Sequence, residues 1–120
     1  MDIGGNMARA NFTMQNENIT LVRGDTLSFG IVMYGDVQTL DSAYFTVKKD
    51  YNDSPVVQKS IGDGITESAE GEYTVRMAPE DTKDLELGRY YYDLQVGNGG
   101  DDFTILRGIL DLVYEVTEEE

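Results

Sequence analysis

Residues 78–96 read Ala-Pro-Glu-Asp-Thr-Lys-Asp-Leu-Glu-Leu-Gly-Arg-Tyr-Tyr-Tyr-Asp-Leu-Gln-Val, and this stretch decides the fold. Pro79 suits a first helical position, where its missing N–H would be unpaired in any case. Glu80 and Asp81 follow at the end of a helix that favours carboxylates. Leu85 and Leu87 are spaced to fold back onto a core, and Gly88 ends the segment. From Tyr90 the period changes to two. Tyr90, Tyr92, Leu94 and Val96 share one face, while Arg89, Tyr91, Asp93 and Gln95 share the other, as in a half-buried strand. One helical turn therefore runs directly into a long strand.

The same alternation spreads in both directions. Upstream, Asn18–Val22 favours a strand and ends at the turn Arg23-Gly24-Asp25. Leu27, Phe29, Ile31 and Met33 alternate with Ser28, Gly30 and Val32 up to Tyr34-Gly35-Asp36. Ala43, Phe45 and Val47 alternate with Tyr44, Thr46 and Lys48, before a polar loop over 50–55. Val56–Ile61 is short and stops at Gly62-Asp63-Gly64; Tyr73, Val75 and Met77 mark a further strand. Downstream, Gly97-Asn98-Gly99-Gly100 suits a loop with positive φ. Phe103–Val116 is too long for one ordinary strand, so Gly108 is expected to mark a bulge or kink. Beyond it Leu110, Leu112, Tyr114 and Val116 are expected to point inward, and the segment is the expected edge or interface strand.

Several short strands separated by turns, with one helical turn, predict an all-β protein. The expected fold is an immunoglobulin-like antiparallel β-sandwich, with a structural corner at Gly88, Tyr90 and Tyr92. In such sandwiches a tyrosine two residues before the second cysteine bonds back to nearby backbone. Tyr90 fits that corner and Tyr92 stands where the cysteine would be; the alternative is that Tyr90 is an ordinary inward strand residue. Without cysteine or tryptophan, large apolar side chains must hold the two sheets together. Residues 1–9 read as a disordered leader, 10–117 as a single domain, and 118–120 as an acidic tail.

Composition removes whole classes of chemistry. The 120 residues suffice for one core. They include 9 Lys and Arg against 23 Asp and Glu, for a formal charge of -14. His 0 and Cys 0 exclude imidazole bases, thiolate nucleophiles and disulfides within the chain. So acidic a chain repels phosphate backbones and anionic lipid, which argues against nucleic-acid and membrane partners. No catalytic, cofactor-binding or metal-binding residues are expected, and no small-molecule substrate.

Individual motifs have plain structural readings. Arg23-Gly24-Asp25 matches a cell-adhesion tripeptide but sits immediately before a strand, where Gly24 simply makes the turn. Asp50, Asp53, Asp101 and Asp102 lie in loops that could meet calcium, yet neither run has the 12-residue ligand pattern that ends in a bidentate glutamate. The glycine-rich turns lack the helix and lysine of a phosphate cradle. Tyr91, outward by alternation, is either an interface anchor or an ordinary cross-strand aromatic. Tyr44 and Tyr51 carry the same two readings. The candidate interface residues are Tyr91, Phe103, Gly108 and Tyr114.

Four motifs in order carry a resemblance. They are Val22-Arg23-Gly24-Asp25-Thr26, Ala78-Pro79-Glu80-Asp81-Thr82, Gly88-Arg89-Tyr90-Tyr91-Tyr92-Asp93-Leu94-Gln95 and Leu106-Arg107-Gly108. Together they resemble the immunoglobulin-like domain of tailed-phage structural proteins, the type found at the N-terminus of the baseplate upper protein, over about residues 18 to 117. That resemblance implies a non-enzymatic assembly module of a virion or prophage particle, in baseplate, tail or neck, made in the bacterial host cytoplasm. It implies other phage structural proteins as partners, with self-association open, and no cofactor. The second expectation is a carbohydrate-binding or host-adhesion module, since sandwiches host such sites and tyrosines are plentiful.

Overall fold

The computed structural model describes residues 14–33 and 39–116; the leader over 1–9 and the tail over 118–120 lie outside them. The chain forms β1 (Gln15–Asn16), β2 (Ile19–Val22), β3 (Leu27–Val32), β4 (Ser42–Lys48), β5 (Pro55–Ile61), β6 (Gly64–Ala69) and β7 (Glu72–Met77). A single turn of helix, α1 (Pro79–Thr82), then leads to β8 (Gly88–Asn98) and β9 (Asp101–Val113). The strand order is β1-β9-β8-β4-β5-β6-β7-β3, with β2 also on β9. Pairing is antiparallel except where β1 and β2 run parallel to β9 and where β5 meets β6.

This continuous sheet curls into two facing layers, an immunoglobulin-like β-sandwich. The front layer is β1/β2, β9, β8, β4 and β5; the back layer is β6, β7 and β3. The chain changes layer at Gly62–Gly64, where φ is 90° at Gly62 and 96° at Gly64, values a side chain rarely tolerates. Lys59 crosses over Gly64 to reach Asp81 at 3.0 Å, which ties β5 to α1. The Asp81 carboxylate also accepts the Ala78 N–H at 2.7 Å, satisfying a donor at the start of α1.

The alternating residues fill the space between the layers. Phe45, Val47, Leu94 and Val96 from the front meet Ile65, Tyr73, Val75 and Met77 from the back, all buried. In place of a disulfide and a tryptophan, three rings span the core. Phe29 on β3 meets Phe45 on β4 edge-on at 5.7 Å, and Phe45 meets Tyr92 on β8 at 5.5 Å. Such geometries add about 0.5–1.5 kcal/mol per pair beyond area burial. The Tyr90 hydroxyl donates to the Glu86 carbonyl at 2.6 Å, closing the corner between α1 and β8. Burial raises the pKa of both Tyr90 and Tyr92.

Three expectations are corrected. β9 is a single strand whose irregularity falls between the Leu94–Leu106 and Gln95–Thr104 pairs, so the bulged residue is Ile105, not Gly108. Gly108 serves a different need. It pairs with Tyr92, and the Glu17 backbone passes so close that a Cβ at 108 would collide with the Glu17 carbonyl. Into that gap the Tyr92 hydroxyl donates to the same carbonyl at 2.6 Å. Second, β9 is not an edge, because β1 and β2 cover its far side. Third, Tyr114 and Val116 are exposed rather than inward, 66% and 90% accessible, since the strand ends at Val113.

Candidate functional site

The outer face of the front layer is the candidate site, and strand register builds it. β8 runs between β4 and β9. Tyr91 lies between Lys48 and Ile109, Asp93 between Thr46 and Arg107, and Gln95 between Tyr44 and Thr104. Side chains alternate along each strand, so the residues that bury Phe45, Leu94 and Leu110 inside leave these rows outside. After β4 the loop doubles back. The Asp50 side chain accepts the Tyr51 N–H at 2.7 Å, and the Asp53 N–H reaches the Asp50 carbonyl at 3.0 Å. That turn stacks the Tyr51 ring on Tyr91, with centroids 4.5 Å apart and planes 30° apart.

On the opposite side, residues 14–18 form a wall. The Asn18 side-chain oxygen accepts the Ile109 N–H at 3.2 Å, and the Glu17 N–H donates to the Arg107 carbonyl at 2.9 Å. Between this wall and Tyr51 lies an open groove of about 660 Å³. Its lining is mixed, with Met14 and Ile109 apolar, Asn16 and Thr46 polar, and Tyr91 as an aromatic floor.

The charges of the groove differ in sign from those of the chain. Lys48, Arg107 and Asp93 are its charged members, two cations against one carboxylate. Neither Lys48 nor Arg107 forms an ion pair among the described residues. Desolvation pushes the Asp93 carboxyl above its ordinary value, and the attraction of Lys48 and Arg107 only partly opposes it. One row further along, Arg89 and Asp111 pair across β8 and β9 at 3.1 Å. The Asp111 hydrogen bond is the main reason that the Arg89 pKa is raised.

The structure brings some of the sequence-derived site residues together and separates others. Tyr91 and Gly108 both line the groove. Phe103 faces inward and packs against the core, and Tyr114 lies beyond the end of β9. Tyr51 completes the stack on Tyr91, and Tyr44 is exposed on the same face. Arg23-Gly24-Asp25 is a tied turn: the Gly24 N–H donates to Thr82 Oγ1 at 2.9 Å, and Arg23 donates to the Leu85 carbonyl and Glu115. Among the described residues no group of three or more His, Cys, Asp or Glu is placed to hold a metal ion.

Lys48, Asp93 and Arg107 were not among the sequence-derived candidates. Lys48 and Asp93 share the outward parity of Tyr91, a signal available in the sequence. Arg107 was hidden by the bulge. With the irregularity at Gly108, residue 107 would share the inward parity of Phe103; with it at Ile105, Leu106 turns inward and Arg107 outward.

No protein-family model matches the chain, and no curated protein matches it. Solved structures do resemble it. The immunoglobulin-like domain of mouse leukocyte-associated immunoglobulin-like receptor 1, solved as a strand-swapped dimer, superposes with a TM-score of 0.52 at 11% identity. That match covers 80% of this chain and 88% of the receptor domain. The natural killer cell receptor NKp44 matches at 16% identity and TM-score 0.47, over 84% of this chain and 99% of the receptor chain. The extracellular domain of the voltage-gated sodium channel β4 subunit matches at 11% identity and TM-score 0.47, over 84% and 93%. At such identities the likeness is one of architecture, and that architecture is the immunoglobulin-like domain.

Proposed function

We propose that the chain is a non-enzymatic, adhesion-type recognition module that contacts other proteins through the outer face of β4, β8 and β9. The observation that carries this reading is the groove itself. A tyrosine stack with Tyr51 exposed stands beside two cations that have no ion-pair partner among the described residues, on a sheet face open to solvent. Aromatic and arginine side chains are the commonest anchors of protein interfaces. A sheet holds them in place at little entropic cost on binding. Host or cell-surface contact is the setting that such a face suits best.

Assembly within a phage particle is the second reading. The four ordered motifs that resemble tailed-phage structural domains favour it, and it requires the same kind of contact. A photo-crosslinking residue placed at Tyr51, with Thr66 on β6 as control, tests the surface in the producing cells and in particles purified from them. A specific adduct from position 51 and none from 66 supports the proposed face; the reverse pattern overturns it. Mass spectrometry of purified particles separates the two settings. Presence in particles favours assembly, and consistent absence excludes it.

A further inference from the structure

We infer that the groove across β4, β8 and β9 takes an acidic peptide segment of a partner protein, seated on the Tyr51–Tyr91 stack with its carboxylates on Lys48 and Arg107. This rests on the reading of that face as the recognition surface, and it adds the chemistry of what is recognised.

The argument begins with charge. The chain carries -14 overall, yet the groove holds two cations and a single carboxylate. Outside the groove three basic side chains are paired, Lys49 stands over the Tyr90 ring, and Arg76 and Lys83 form no ion pair among the described residues. Arg23 meets Glu115, Lys59 meets Asp81 and Arg89 meets Asp111, each within 3.2 Å. Lys48 and Arg107 have only Asp93 between them among the charged side chains that line the groove. The groove thus has cationic donors to spare on a chain with an excess of acids. At physiological ionic strength screening acts over about 8 Å, so a bound segment feels these neighbours more than the distant surface.

Spacing narrows the class of ligand. Arg107 lies two strands across and one side-chain row along from Lys48. Strand geometry puts their Cα positions roughly 12 Å apart. An extended peptide spans that distance with two acidic residues three or four positions apart, which leaves an intervening side chain over the rings. Tyr51, 62% exposed, supplies the apolar surface for it. A saccharide fits less well, because Tyr51 and Tyr91 turn ring faces toward each other and so offer less open aromatic platform.

The test uses a dye-labelled heptapeptide with two glutamates four positions apart around a tyrosine, read by fluorescence polarisation. Its lysine-for-glutamate counterpart and an oligogalacturonate serve as competing probes. The acidic peptide is expected to bind and its lysine counterpart not to bind. Affinity should fall up to about fivefold for Lys48→Ala or Arg107→Ala, the range for solvent-accessible charge pairs, and fall again with added salt. Asp93→Asn should tighten binding, a gain that a misfolded variant cannot mimic. Arg76→Ala, on the back layer, should change nothing. Equal binding of the lysine peptide, preference for the oligogalacturonate, or indifference to both cation variants would overturn the inference. If no probe binds while the position-51 crosslink persists, the acidic-ligand chemistry is wrong and the recognition face stands; if both fail, both are wrong.

Discussion

Replacing Gly108 with alanine tests how the front layer is closed. The added Cβ would meet backbone rather than a movable side-chain end, at 2.8 Å from the Glu17 carbonyl carbon. Relief requires the β1–β2 junction to lift from β9. Two hydrogen bonds are then lost, Glu17 N–H to Arg107 O at 2.9 Å and Tyr92 O–H to Glu17 O at 2.6 Å. Each contributes about 1 kcal/mol net, and stranding the Tyr92 hydroxyl within the layer costs about 1–3 kcal/mol more. The expected loss is therefore about 3–5 kcal/mol in urea unfolding. Gly30→Ala is the control, since its Cβ would find only an ordinary 3.7 Å contact with the Tyr73 carbonyl; it should be neutral or slightly stabilising. Tyr92→Phe alone should cost about 1 kcal/mol, and Gly108→Ala with Tyr92→Phe should cost less than the sum, because both act on the same carbonyl. Gly108→Ala within about 0.5 kcal/mol of the parent, or strict additivity with Tyr92→Phe, would refute the reasoning.

Three further predictions concern the corner, the helical turn and the groove. Tyr90→Phe should lower stability by about 1 kcal/mol by removing the bond to the Glu86 carbonyl, measured by thermal or urea unfolding; no change would show that the corner does not depend on it. Asp81→Ala should cost about 1–2 kcal/mol, more than Lys59→Met, because Asp81 both caps α1 and meets Lys59 while the lysine stem still packs as methionine. Equal losses would contradict that division. Burial raises the Asp93 pKa, so the folded state holds its proton to a higher pH than the unfolded chain. Stability contributed there is present at low pH and is lost as pH rises through the folded pKa. Asp93→Asn should accordingly stabilise the protein at pH 7 but not at pH 3, read from urea midpoints.

Much of this architecture can be read in the sequence because burial imposes a period of two. The inward faces of β3, β4, β7 and β8, and the turn begun by Pro79, follow directly from it. β6 escaped because only Ile65 of its six residues is buried; the other five show no apolar alternation, and pairing with β7 holds it in place. The bulge at Ile105 escaped because its position is set by the register of β9 on β8, which depends on a partner strand rather than on local composition. That one displaced residue decides the face of Arg107, and with it the charge of the groove. Tyr114 and Val116 continue the alternation past the point where β2 and β8 still offer partners, Val22 and Gly88, so the pattern persists without a surface to bury it.

Amide hydrogen exchange of the chain in its native assembly, compared with the free protein, addresses the recognition face most directly. The account predicts new protection over residues 14–18, 44–48, 91–95 and 104–109, with β6 and β7 unchanged. Protection confined to the back layer, with those four segments exchanging as they do in the free chain, would contradict it.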